Sequence, residues 1–315
     1  MEGNQEILLT GATGFIGRRL AEAFSDSDYS LTCAVRRKNT LLAPHKTVVG
    51  TLNAGTDWSS ALKRGQVVVH AAGRAHVTAD TAEDPLEEFR KVNVDGTLSL
   101  ARQAAEQGAK RFIFLSSIGV NACVNDQPFT VGDVPNPVDP YGKSKWEAEQ
   151  SLWEVARCTG MEVVIIRPPL VYGPNAPGNF GSLVRWVDKG VPLPLGSIHN
   201  KRSLVALDNL VDLIITCIDH PAAANRVFLA GDGEDLSTTE LLQGVAKAMG
   251  KPSRLVPLPA GLLMLGATVL GKKAMAQRLL GSLQVDISHT QECLNWTPPL
   301  TVKQGLQRCF PNHQD

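Results

Sequence analysis

The chain has 315 residues, 43% of them hydrophobic and 20% charged, a balance that suits a folded core and excludes a disordered or fibrous polypeptide. Lys and Arg together number 31, as do Asp and Glu, so there is no net basic field to hold nucleic acid. The six cysteines show no CxxC spacing and no cluster with histidine, which predicts reduced thiols in a cytoplasmic protein and no metal site.

A first strand is predicted at Ile7–Thr10, close enough to Met1 to leave no room for a signal peptide. It runs into Gly11-Ala-Thr-Gly14-Phe15-Ile16-Gly17 and a helix over Phe15–Phe24. A glycine turn at that junction lets backbone approach a pyrophosphate, lets the helix pack on the strand and leaves helix N–H groups facing the phosphates. The next strand, Ser30–Val35, ends in Arg36-Arg37-Lys38 with no acid. An acid there bonds the adenosine ribose, whereas arginine suits a 2′-phosphate. Arg36 and Arg37 are therefore read as a clamp for NADP(H), with NAD(H) as the other cofactor and a solvated basic loop as the bland alternative.

Further along, Val67–His70 predicts a strand, Leu86–Gln107 one long amphipathic helix, and Arg111–Ser116 a strand ending just before Ser117. Tyr141–Cys158 predicts a helix and Val163–Arg167 a strand. Short apolar runs joined through helices are parallel strands buried on both faces, so the expected fold is α/β, a doubly wound parallel Rossmann sheet. Residues 1–167 are assigned to this dinucleotide-binding domain. Residues 168–315 are assigned mainly to a smaller C-terminal substrate lobe, with a strand near Val227–Leu229 as a candidate to return to the sheet. Ser237-Thr-Thr-Glu240 opens a helix with a capping box. Leu255–Gly271 carries no charge and is followed by Lys272 and Lys273. It is about one turn short of a membrane span and broken by Pro257 and Pro259, so it is read as a buried helix of the lobe. An interfacial membrane contact is the alternative.

The chemistry is concentrated at Tyr141 and Lys145, four residues apart on one helix face that Asp139-Pro140 opens. A phenol ionises near ~10. An ammonium on the next turn is expected to favour the phenolate by about 3–4 kcal/mol at most, at an effective dielectric of ~20. The pair can thus act as a general acid, with Lys145 also able to hold ribose hydroxyls and Ser117 able to bond the substrate oxygen.

With those residues in view, the chain resembles the extended short-chain dehydrogenase/reductase family, the NAD-dependent epimerase/dehydratase enzymes. The resemblance rests on TGATGFIG, His70-Ala71-Ala72-Gly73, Asn93-Val-Asp-Gly-Thr97, Phe114-Leu-Ser-Ser117, Tyr141-Gly-Lys-Ser-Lys145 and Arg167-Pro168-Pro-Leu-Val-Tyr-Gly-Pro174, across nearly the whole length. It implies that Ser117, Tyr141 and Lys145 are the catalytic set and that Asn93 supports Lys145. It also implies that Ala71, Ala72 and Gly73 line the cofactor and that Pro168 lies near the nicotinamide. Thr51-Leu52 departs from relatives that carry an acid against the adenine, and Leu170 from those with an asparagine against the substrate. Arg202 and Asn179 resemble positions that hold a nucleotide diphosphate sugar, although Arg202 alternatively points to solvent from its strand. Arg74 and His76 are further candidates for the sugar, His76 equally for a plain surface histidine.

Ile118 and Gly119, directly after Ser117, provide no acid or base for elimination, so dehydration is disfavoured. The overall pattern is similar to UDP-N-acetylquinovosamine dehydrogenases, which implies NADPH-dependent reduction of the C4 ketone of a UDP-4-keto-6-deoxy-hexosamine for surface polysaccharide synthesis. A UDP-sugar 4-epimerase is the second reading and an NADP-binding redox sensor the non-enzymatic one. A homodimer without a membrane span is expected.

Overall fold

The computed structural model describes residues 4–37, 45–75 and 83–311. Its main layer is a seven-stranded, wholly parallel sheet in the order β3-β2-β1-β4-β5-β6-β9. The strands are β1 (Glu6–Thr10), β2 (Ser30–Val35), β3 (Lys46–Val48), β4 (Val67–His70), β5 (Arg111–Leu115), β6 (Glu162–Arg167) and β9 (Arg226–Leu229). Their apolar runs are buried because helices cover both faces. Ile7 and Leu9 of β1 join one cluster with Leu20 and Phe24 of α1 (Phe15–Ser25) and Leu210 and Ile214 of α6 (Leu207–Asp219). Leu8 points the other way, to Leu100 of α3 (Gly96–Glu106) and Leu152 of α4 (Pro140–Thr159). This alternation is the period of two that a sheet imposes. The expected doubly wound sheet is therefore observed. Strand order reverses between β1 and β4, and that switch point is where such sheets open a crevice.

The predicted helix over Leu86–Gln107 is interrupted. α2 (Pro85–Arg90) passes into a π-helical turn at Lys91–Asp95 before α3 begins. The turn repositions Asn93, whose side chain is buried and committed to polar partners rather than to the apolar stripe. Such bulges recur at functional sites, and periodicity alone does not reveal them.

Beyond Arg167 a second sheet of three strands forms in the order β10-β8-β7, from β7 (Leu170–Tyr172), β8 (Arg202–Ala206) and β10 (Asp235–Leu236). Around it lie α5 (Gly178–Asp188) and α7 (Thr238–Ala248), the latter opened by the Ser237–Glu240 capping box. β9 pairs in parallel with β6 and so returns to the main sheet. The apolar segment after Leu255 differs from its expected burial. α8 (Ala260–Val269) has no buried residue, because side chains of α5, α7 and β8 already fill the core beneath it. α9 (Lys273–Leu280), α10 (Ser288–Leu294) and α11 (Val302–Arg308) complete the chain. Among the described residues no helix is long and apolar enough to cross a membrane.

Candidate active site

The carboxyl ends of β1, β4, β5 and β6 converge on one region. Gly11 takes a left-handed φ of +75°, which only a residue without Cβ adopts cheaply. A Cβ there would meet the Ala71 carbonyl carbon and the Ala72 nitrogen, each at 2.7 Å. A Cβ on Gly17 would overlap the Gly11 carbonyl, so α1 can start this close to β1 only with glycine at both positions. Gly14 caps α1 without any side-chain hydrogen bond, leaving its first N–H groups to an external anion. Gly11, Gly14 and Gly17 thus form a cradle that fits a dinucleotide pyrophosphate, with Phe15 and Ile16 in the first turn of α1.

Beneath it, the Thr10 hydroxyl accepts from the Ala72 N–H at 3.2 Å and bonds His70 Nδ1 at 2.7 Å, while His70 Nε2 bonds Thr97 at 3.0 Å. This chain fixes the Ala71–Gly73 wall. Burial, reinforced by the Lys145 charge, pushes the His70 imidazole down to about 3, so it stays neutral. Nothing in composition or spacing singles out Thr10 or Thr97 for this role.

On the opposite side, β5 delivers Ser117 and α4 delivers Tyr141 and Lys145. Asp139 caps α4, accepting from the Gly142 N–H at 2.7 Å, and Pro140 opens its first turn, as the sequence predicts. Ser117 lies beside the Tyr141 hydroxyl, and its own oxygen accepts from the Gly119 N–H at 3.1 Å. Asn93 Nδ2 donates to Ser144 at 3.0 Å, and its Oδ1 accepts from the Arg74 N–H at 2.7 Å. A Cβ on Gly73 would lie 3.1 Å from Asn93 Oδ1 and 3.4 Å from Lys145 Nζ, which places all three around one point. Pro168 joins through its carbonyl, which accepts from the Ile118 N–H at 3.0 Å.

The electrostatics depart from the expected Tyr141–Lys145 coupling. Lys145 Nζ donates to the Leu115 carbonyl at 2.9 Å and sits 4.4 Å from the centre of the Phe114 ring. Burial lowers its ammonium to about 8. Burial of the Tyr141 hydroxyl, with the Asp139 charge beside it, instead pushes the phenol up to about 12. The phenol is therefore held protonated here, because desolvation and the Asp139 charge together outweigh the influence of Ser117.

Arg74 stacks its guanidinium on Phe89 at 5.5 Å, and Phe89 meets the Tyr141 ring edge-on at 5.9 Å. Arg202 does not face solvent. Its Nη1 donates to the Arg278 carbonyl at 2.6 Å and the Gly281 carbonyl at 3.1 Å. Arg278, which the sequence reading passes over, pairs with Asp139 at 2.9 Å and so ties that strand end to the start of α4. Asn179 is exposed in the first turn of α5, outside this set of contacts. Arg36 and Arg37 are exposed just past the end of β2. Leu52 is buried under Gly96, where it packs as an apolar residue. His76 lies outside the described residues.

A cavity of about 630 Å³ opens on the flank of the glycine turn, lined by Thr13, Gly14, Phe15, Arg18, Leu207 and Asp208 among others. It borders the pyrophosphate cradle rather than Tyr141. Among the described residues no group of three His, Cys, Asp or Glu side chains is placed to hold a metal.

Comparison with known proteins gives a consistent picture. Residues 7–231 match the family described as NAD dependent epimerase/dehydratase. A UDP-glucose 4-epimerase of Vibrio cholerae is 50% identical over 308 residues, covering 96% of this chain and 94% of its own. An N-acetyl-alpha-D-glucosaminyl-diphospho-ditrans,octacis-undecaprenol 4-epimerase of Escherichia coli O157:H7 is 28% identical, covering 97% and 94%. Among solved structures, a UDP-glucuronic acid 4-epimerase of Bacillus cereus in complex with NAD superposes with a TM-score of 0.76 at 19% identity, covering 98% and 96%.

Proposed function

This chain belongs to the NAD dependent epimerase/dehydratase family, and on that premise we propose that it is a UDP-sugar 4-epimerase using NAD. What carries this reading is that Ser117, Tyr141 and Lys145 converge beside an uncapped glycine turn in a chain half identical to a 4-epimerase. The higher identity to the nucleotide-sugar enzyme, 50% against 28%, favours UDP over a polyprenyl chain as the diphosphate's other arm. The C4-keto reductase expected first from the sequence stands second, since the same residues serve it but a relative half identical to this chain is an epimerase. A cytoplasmic homodimer is part of the same reading.

When bound, NAD supplies an acceptor and donor for the C4 hydride. The residues of this chain do the rest. The glycine turn and the α1 N–H groups hold the pyrophosphate, and Lys145 holds ribose hydroxyls. Ser117 bonds the C4 oxygen and aligns it with Tyr141. Tyr141 takes the proton of the C4 hydroxyl and returns it to the same oxygen once the sugar has presented its other face. Proton removal requires the phenolate, which the Lys145 charge favours when it is drawn off the Leu115 carbonyl. Ile118 is buried and Gly119 has no side chain, so neither offers the acid or base a dehydratase needs.

The purified protein, given UDP-glucose or UDP-N-acetylglucosamine without added cofactor, should yield a mixture of C4 epimers. A strict requirement for stoichiometric NADPH and a UDP-4-keto sugar would return the reading to the reductase.

Two substitutions probe the binding roles. If Arg202 meets the substrate diphosphate, Arg202→Lys keeps charge without the planar fork and Arg202→Ala loses both. UDP affinity by calorimetry should fall in that order, about thirtyfold between arginine and alanine, with dinucleotide affinity unchanged. Equal UDP affinity in all three removes the contact. If Arg36 and Arg37 reach a 2′-phosphate, Arg36→Ala with Arg37→Ala should weaken NADPH binding roughly tenfold or more while leaving NADH within about twofold, because only that bond is lost. An unchanged NADPH/NADH ratio removes the 2′-phosphate clamp.

A further inference from the structure

The C-terminal lobe presents one helix whose exposed surface no part of the catalytic account uses. In α8, Leu262, Leu265 and Val269 are 58%, 63% and 80% exposed, and Leu270 follows at 73%. Their spacing of three and four places them on one outward face. Ala260 and Leu263 pack against the lobe, which fixes the orientation of that face. The flanking charge is equally one-sided. Between Glu240 and Asp286 the sequence holds no acid but six cations, Lys247, Lys251, Arg254, Lys272, Lys273 and Arg278, in a chain balanced as a whole at 31 against 31. Lys251 and Arg278 are paired with Asp188 and Asp139, whereas Lys272 and Lys273 are exposed at the end of the leucine face.

We propose that α8 docks this protein on an anionic membrane surface. The leucine face enters the boundary between headgroups and acyl chains, and Lys272 and Lys273 meet lipid phosphates. The helix is 10 residues long, about 15 Å at 1.5 Å per residue, half of a bilayer core, so it lies in the interface and does not cross. The charge pattern selects lipid over a second copy of the chain. Two such faces brought together would set basic rims against each other with no acid within residues 241–285 to relieve them. α8 packs on α9, whose Arg278 carbonyl, with that of Gly281 just after it, holds Arg202, so docking brings the membrane within one helix of the candidate site.

Co-sedimentation with phosphatidylcholine vesicles, with and without phosphatidylglycerol, tests this. Wild type should bind the anionic vesicles, bind neutral ones far less, and release at high salt. Leu265→Glu with Val269→Glu, and separately Lys272→Glu with Lys273→Glu, should each lower the partition coefficient about tenfold or more. Melting temperatures should stay at the wild-type value, because all four side chains are exposed. Absence of wild-type binding to anionic vesicles, or binding by both variants equal to that of wild type, overturns the proposal. So does a larger oligomer for wild type than for Leu265→Glu with Val269→Glu in analytical ultracentrifugation, which would assign the face to a second copy.

Discussion

Replacing Tyr141 with phenylalanine should lower turnover by roughly 10²–10⁴ while dinucleotide and UDP binding stay within a few-fold. The ring keeps its edge contact with Phe89, so the pocket is preserved and only the hydroxyl is lost. That hydroxyl lies beside Ser117, and burial holds it protonated near 12. Steady-state kinetics with calorimetric binding separates the effects. Turnover within a few-fold of wild type would remove Tyr141 from proton transfer, whereas a loss confined to KM would make it a binding residue.

Glu149→Ala should destabilise the fold by about 3–5 kcal/mol, measured by urea denaturation. Glu149 is fully buried and Arg167 only 4% exposed, so the substitution leaves a guanidinium in the core without its counter-charge. Arg167 Nε donates to Glu149 at 3.0 Å and its Nη1 to Asn121 at 3.0 Å, while the Ser116 hydroxyl donates to the same carboxylate. Ser116 and Arg167 immediately precede Ser117 and Pro168, so this cluster holds both loops of the site in register. Pairing Glu149→Leu with Arg167→Met should recover much of the loss, since neither charge is then stranded. A single variant within about 1 kcal/mol of wild type would show that water reaches the pair.

The sheet and the glycine turn were legible because each rests on a local signal, an apolar run or a backbone conformation that only glycine allows. Tyr141, Lys145 and Ser117 were legible for a similar reason, as spacing on a helix and position at a strand end decide where they point. The π-turn at Lys91–Asp95 was not, since it follows from Asn93 bonding across to Ser144 and the Arg74 backbone, contacts far apart in sequence. The direction of the phenol's shift was also out of reach. Charge spacing predicts a lower value, but desolvation depends on what closes over the hydroxyl. α8 shows the same limit in reverse, because an apolar run signals burial only where the core has room left for it. The Arg278–Asp139 pair joins residues 139 positions apart, and no pattern in the sequence announces it.

The central claim is that a hydride leaves C4 and returns to C4 of the same sugar, with Tyr141 carrying the proton. The most direct test is to supply UDP-glucose deuterated at C4, without added cofactor, and to follow the product by NMR. The account predicts the C4 epimer with deuterium still at C4 and no net consumption of nicotinamide. No epimer, or a C4 label lost to solvent or accumulated on the dinucleotide, would contradict it.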